Sequence, residues 1–178
     1  QLPFLDRMIW PIIVDESTQL AALRTAKVDK AVNISWKYKD SLQETNPELI
    51  RWRILSAGFP AIALRVDKKP FDDVRVRRAL SMAIDRDAYI KTQLGGDGFI
   101  LGGPFSPRWG EQLYTPLEKL PPSAQELFQF NPQKAKQLLT EAGYSTGFKT
   151  FIYTRSEFKY VDMLSMVKDM WAKVGIDL

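Results

Sequence analysis

The chain has 178 residues, 45% of them hydrophobic and 12% aromatic, and a formal net charge of +4; this is globular composition long enough to bury a sizeable core, not a disordered tail. It contains no cysteine and no histidine, which excludes disulfides, zinc sites of the usual kind and every histidine-based triad or general base. No apolar run approaches the ~20 residues of a membrane span, and no basic-then-apolar leader is present. The chain begins Gln1-Leu2-Pro3 without a Met, so it reads as an excised or processed piece.

Taken in order, Met8–Val14 (MIWPIIV) is β-rich, with Pro11 limiting it to an edge or irregular strand. Asp15-Glu16-Ser17 offers N-caps for a short helix carrying Leu20, Ala21, Leu23 and Arg24. Val28–Ile34 reads as another strand, ending at Ser35-Trp36. Strand, helix and strand in succession make a βαβ-like unit, which implies a parallel pair. A helix over Tyr38–Glu44 is stopped by Asn46-Pro47. Ile50–Leu55 and Ala61–Val66 are further strand candidates, separated by Ala57-Gly58-Phe59-Pro60.

Phe71–Asp87 (FDDVRVRRALSMAIDRD) is the best-defined stretch. Asp72 and Asp73 stand where a carboxylate can accept from orphan amide N–H groups. Val76, Ala79, Leu80, Ala83 and Ile84 follow at i, i+3, i+4, i+7 and i+8, one buried helical face, with Arg75, Arg78 and Met82 placed away from it. Asp85 caps a second short helix from Arg86 to about Leu94, which Gly95-Gly96 stops. Gly95–Pro122 is rich in Gly and Pro without sustained periodicity, and loops of this length often line functional surfaces. Within it, GGPFSPRWG (Gly102 to Gly110) combines rigid turns with Phe105 and Trp109, which either anchor the loop to its own domain or meet a ligand.

Asn131-Pro132 opens the clearest helix, with Asn131 as N-cap and Pro132 at N1. Ala135, Leu138, Leu139 and Ala142 form its stripe, and Gly143 ends it. Phe148–Tyr153 reads as a strand and Glu157–Val174 as a long helix with a broad apolar face that includes Val161, Leu164, Val167, Met170, Trp171 and Val174. Gly175 ends that helix, and Ile176-Asp177-Leu178 begins a strand.

Three ordered stretches carry a family resemblance: Pro70 to Arg86 (PFDDVRVRRALSMAIDR), Leu5 to Val32, and Phe130 to Tyr144 (FNPQKAKQLLTEAGY). They resemble family 5 extracellular solute-binding proteins, the oligopeptide-, dipeptide- and nickel-binding subunits of ABC importers. The resemblance implies an α/β fragment of a two-lobed, periplasmic-binding-protein-like (type II) fold. Residues 1–60 would be the end of lobe one, and 61–178 the crossing strand with the first, truncated part of lobe two. The chain departs from the pattern at Ala26, where Gly is common before Val28-Asp29, and at Arg65, where Asn is usual. If that Gly takes a positive φ, Ala26 costs about 1 kcal/mol, or the turn is built differently.

The chemistry legible in the residues points to binding. Acids sit where caps are needed, the glycines lack phosphate-loop spacing, and nothing organises a metal site, a cofactor site or catalytic residues. Arg75, Arg77 and Arg78 are the densest basic cluster; beside Asp72, Asp73, Asp85 and Asp87 they read as a solvated helix face, not a phosphate or nucleic-acid surface. In open α/β sheets ligands sit outside the carboxyl ends of strands. That singles out Trp36 after one predicted strand and Arg65 at the end of another, together with Phe105 and Trp109. Trp36 would stack on a ligand side chain or lie inside the fold. Arg65 would pair a ligand carboxylate or a neighbouring acid.

The implied function is the extracytoplasmic substrate-binding subunit of an ABC importer for peptides, without chemistry of its own. Its partners would be a peptide or other small solute and the membrane permease, and its location periplasmic or extracellular, held to the membrane by the importer or a lipid anchor. Receptors for nickel complexes or oligosaccharides, and a non-transport interaction module keeping part of the fold, are the alternatives. The chain by itself is expected to self-associate, through apolar residues Val161, Leu164, Val167 and Trp171 and the strand edge at Ile176–Leu178.

Overall fold

A computed structural model describes residues 4–56, 60–110, 112–154 and 158–178. The chain forms two compact units, Gln1–Arg53 and Ile54–Leu178. Gln1, Leu2 and Pro3, the Ala57-Gly58-Phe59 part of the expected separator, and Glu157 lie outside the described residues.

The first unit carries α1 (Glu16–Arg24) and α2 (Lys39–Thr45), the latter preceded by a 3-10 turn over Trp36–Tyr38. Asp15 caps α1 by accepting from the Thr18 amide and hydroxyl, both at 2.7 Å. The Ser35 amide donates to Glu16 Oε1 (2.9 Å), Arg24 Nη2 to Ser41 Oγ (3.0 Å) and Asn46 Nδ2 to the Arg24 carbonyl (3.3 Å). Leu20 is buried at 3% exposure. Polar contacts thus join the two helices, and Leu20 is the one deeply buried side chain among the described residues of this unit.

After α1 the Lys27 amide reaches the Ala22 carbonyl (2.9 Å) and the Ala26 amide the Leu23 carbonyl (3.1 Å). This is the paired bonding of a Schellman stop, which places its C′ residue in the left-handed region. That residue is Ala26, at φ +53°. The turn therefore takes the conformation that glycine favours and carries it on alanine.

The second unit is built on α3 (Val74–Met82), α4 (Arg86–Gln93), α6 (Pro132–Glu141) and α7 (Phe158–Ala172), with a short α5 (Pro122–Gln125). Asp73 caps α3 through the Arg75 amide (2.8 Å), Asp85 caps α4 through Ala88 (2.9 Å), and Asn131 caps α6 through Lys134 (2.9 Å). Gly143, at φ +89°, ends α6 with the same bond pattern that ends α1. Val76, Ala79, Leu80 and Ala83 are buried with Ala135, Leu138, Leu139, Val167, Trp171, Val174 and Ile176 in one cluster.

Met82 belongs to that cluster, at 3% exposure, contrary to its expected outward position. The helix is covered on two sides, by α6 and by the 3-10 turn at Glu126–Phe128, so its buried surface is wider than one stripe. The Met82 carbonyl also accepts from the Asn131 amide (2.8 Å), tying the end of α3 to the start of α6.

β1 (Phe148–Lys149) and β2 (Ile176–Asp177) pair in parallel, Phe148 with Ile176 and Lys149 with Asp177, across α7. A βαβ unit is therefore present at the end of the chain, not at its start. The expected strands at Met8–Val14, Val28–Ile34, Ile50–Leu55 and Ala61–Val66 form no ladder among the described residues, and Phe148–Tyr153 shortens to two residues. β-propensity needs a neighbouring backbone and a covering layer to become a strand. Among the described residues Met8–Val14 and Ile50–Leu55 join no ladder and are poorly covered: Ile12 is 94% and Ile50 83% exposed. Val167 and Trp171, expected on an exposed patch, are core residues; of that group only Val161 is largely exposed.

Candidate functional site

The loop over residues 102–110 is shaped by its backbone. Ser106 accepts from the Arg108 amide (3.3 Å) through its hydroxyl and from the Trp109 amide (3.0 Å) through its carbonyl. Pro107 opens the resulting 3-10 turn, and Gly110 closes it at φ +91°. Ser106 is buried, whereas Phe105 and Trp109 on either side of the turn are 42% and 56% exposed. Their rings meet edge to face, 6.5 Å apart at 71°. The turn thus presents two aromatic surfaces held in a preferred mutual geometry.

The other two sequence-derived candidates lie elsewhere. Trp36 opens the 3-10 turn of the first unit, capped by Ser35, and is 46% exposed; no strand precedes it among the described residues. Arg65 lies in the unladdered stretch before α3, where the Val66 amide turns back to the Leu64 carbonyl (3.0 Å) and the Lys68 amide to the Arg65 carbonyl (2.9 Å). Its Nε and Nη2 grip Asp67 at 2.8 and 2.6 Å. That hydrogen-bonded guanidinium draws the Asp67 carboxyl down to about 2, and Asp67 in turn raises Arg65 above the usual arginine range. Of the four residues, the structure brings together Phe105 and Trp109.

The basic cluster on α3 is occupied internally. Arg75 forks onto Asp73 and donates to the Glu141 carbonyl at 2.6 Å. Arg77 donates to the Phe71 and Asp72 carbonyls, and Arg78 pairs with Glu126. Each guanidinium closes a loop or helix end, an arrangement already satisfied without phosphate. Arg86, on α4, donates to Ser81 Oγ (2.7 Å) and lies 5.1 Å from the Phe128 ring centroid, where burial pushes it below the usual arginine range.

A surface the sequence reading did not single out is an open recess of ≈ 300 Å³ beside α7, lined by Phe151, Ile152, Val161, Leu164, Lys168 and Leu178 among others. The signal for it was the expected apolar patch at Val161 and Leu164, two of its lining residues. Phe151 and Tyr153 stand nearby with rings 5.1 Å apart. None of the four candidate residues lines it.

The profile of bacterial extracellular solute-binding proteins, family 5 Middle, matches residues 1–178. This chain belongs to the family 5 extracellular solute-binding proteins. Heme-binding protein A of Haemophilus influenzae is 29% identical to it over 181 residues, covering 97% of this chain and 30% of that protein. Glutathione-binding protein GsiB of Pectobacterium atrosepticum is 31% identical over 177 residues, covering 98% of this chain and 32% of its own length. Among solved structures, the ABC transporter-associated periplasmic binding protein DppA of Helicobacter pylori, in complex with the peptide STSA, superposes with a TM-score of 0.74 at 32% identity. That match covers 93% of this chain and 30% of DppA. This family 5 chain therefore spans about a third of the length of the relatives it matches, and its α/β architecture is part of the type II periplasmic-binding-protein fold.

Proposed function

We propose that the protein of which this chain is a part is the extracytoplasmic receptor of an ABC importer and that it captures short peptides. The observation that carries this reading is the fold-level and sequence likeness to the H. pylori binding protein solved with a tetrapeptide. In this reading residues 1–60 end one lobe, and 61–178 supply the crossing segment and the first part of the second. The receptor binds without catalysis, works in the periplasm or outside the cell, and hands its solute to a membrane permease. Phe105 and Trp109 are the ligand-facing residues best supported by geometry, since a capped turn exposes both rings. Trp36 contributes a stacking face. Arg65 takes the ligand's carboxylate by exchanging it for Asp67, an exchange that keeps its two-toothed bond.

Calorimetry of the full-length protein against a peptide library, glutathione and heme tests the assignment. Micromolar or tighter peptide binding is the expected result. Binding of heme or a sugar with no response to peptides would overturn the peptide assignment. The 178-residue chain alone is expected to self-associate, because Trp10, Ile12, Val14, Ile50 and Trp52 are each more than two-thirds exposed; a single monomeric species in sedimentation would refute that.

A further inference from the structure

We propose that Met166 and Met170 of α7 form an oxygen-accepting site that clasps α4, and that conversion of Met170 to its sulfoxide releases that helix. The observation is how α4 is held. Arg86–Gln93 contains no fully buried residue, so a core stripe does not fix it. Besides the Arg86 contacts to Ser81 and Phe128, two thioethers on α7 accept hydrogen bonds from its two ends. The Asp85 amide donates to Met170 Sδ at 3.3 Å. Eight residues along, Gln93 Nε2 points at Met166 Sδ (3.5 Å), with Thr92 Oγ1 3.4 Å from the same sulfur while its proton goes to the Ala88 carbonyl (2.8 Å). Both methionines are half-buried, within reach of a small oxidant, whereas Met82 is 3% exposed in the core.

A peroxide transfers one oxygen to a thioether: the sulfur loses two electrons, the O–O bond breaks, an S–O bond forms, and water leaves. The two sites then diverge. At Met166 the donor is a side chain, and the Gln93 carboxamide can swing to follow the new oxygen, a better acceptor than sulfur. At Met170 the donor is a main-chain amide. Oxygen added on the sulfur lone pair that faces the amide cannot fit between two atoms 3.3 Å apart, so in that epimer the contact opens. Asp85 is also the N-cap of α4, accepting from the Ala88 amide. Displacing it loosens the first turn. Met166 thus takes oxygen silently, and Met170 is the release point.

The test is hydrogen exchange on the purified protein titrated with hydrogen peroxide, with peptide mapping of each sulfoxide. Exchange over residues 86–93 should stay unchanged while Met166 alone is oxidised. It should rise several-fold once Met170 sulfoxide forms, with α3 and α6 unaffected, and return when methionine sulfoxide reductases are added. Met170→Leu should abolish the response and Met166→Leu should keep it. Met8, 61% exposed in the other unit, is an internal control for oxidant dose. Quantitative Met170 sulfoxide with unchanged exchange in α4 would overturn the proposal, as would a Met170→Leu protein that still responds. Should that variant fail to fold, reversal by the reductases in the unsubstituted protein decides.

Discussion

The indole Nε1–H of Trp171 donates to the main-chain carbonyl of Leu80 across 3.1 Å inside the core. That carbonyl belongs to the last turn of α3, and the amide that would close on it, from Ile84, turns to Ser81 instead. The end of a helix leaves carbonyls without helical partners, and buried ones need substitutes. Here Trp171 serves Leu80, the Asn131 amide serves Met82, and Arg86 joins Ile84 on Ser81. α7, the start of α6 and α4 each dock on the same helix end. Trp171→Phe keeps much of the apolar volume but strands the Leu80 carbonyl. It should cost about 1–3 kcal/mol, measured by urea unfolding; a loss within error would show that the carbonyl finds water.

Leu80 and Leu138 face one cluster from α3 and α6, at 2% and 8% exposure. Truncating either to Ala should cost about 2–5 kcal/mol, with Leu80 the costlier because its site has less freedom to collapse or admit solvent. Denaturant midpoints of the two variants check the order. A cost below about 0.5 kcal/mol for either would contradict its place in the cluster.

Ala26 and Gly143 occupy the same position in two helix stops, at φ +53° and +89°. Only the second has the residue type for which that conformation carries no steric cost. Ala26→Gly should therefore stabilise the end of α1 by about 1 kcal/mol, less whatever the freer unfolded chain takes back. Slower amide exchange at Lys27 and Val28 is the readout. Unchanged or faster exchange would mean that unfolded-state entropy outweighs the relieved strain.

The contrast between these helix ends and the missing strands explains what was legible. Caps and stops are local: Asp73, Asp85, Asn131 and Gly143 each bond within six residues, so their chemistry is written where it acts. A strand is completed by another segment, and Met8–Val14 has the composition for one but no ladder partner among the described residues. Met82 misled because a single periodic stripe describes a helix covered on one side, while α3 is covered on two. The aromatic turn was legible as Gly and Pro around Phe105 and Trp109, but the burial of Ser106 and the exposure of both rings depend on the folded surroundings of the turn. For Arg65 the sequence leaves a ligand carboxylate and a neighbouring acid both open; Asp67, two residues on, holds it here.

That pair has a titration signature. The hydrogen bond from Arg65 lowers the Asp67 carboxyl from 3.8 to about 2. A carboxylate depressed in the folded state adds stability that is present above its unfolded value and lost as pH falls through the folded one. The Arg65 contact should thus persist down to about pH 3 and fade towards pH 2 and below. Carboxyl NMR should place Asp67 near 2, and Arg65→Gln should return it to the ordinary range. If Asp67 titrates near 3.8 in the unsubstituted protein, the fork is open in solution and Arg65 is already available to an anionic ligand.

The start of the parallel pair tolerates no side chain at one position. Gly147 has φ +78°, and a Cβ built there would lie 1.7 Å from the Gly175 carbonyl oxygen. Gly147 precedes β1, and Gly175 precedes β2, so their backbone contact sets how closely the two strands enter the ladder. Gly147→Ala meets both obstacles at once, a disfavoured φ and a main-chain atom that cannot rotate away. It should cost about 2–4 kcal/mol and disrupt the Phe148–Ile176 register. Gly103→Ala is the control: nothing lies within 4 Å of its Cβ and its φ is not positive, so the change should be within about 0.5 kcal/mol of neutral. Thermal unfolding ranks the two, and exchange of the Thr150 amide, bonded to the Asp177 carbonyl at 2.8 Å, reports the ladder directly. Equal stability of the two variants would mean that the strands can separate at their entrance without loss, and that the glycine pair does not set their register.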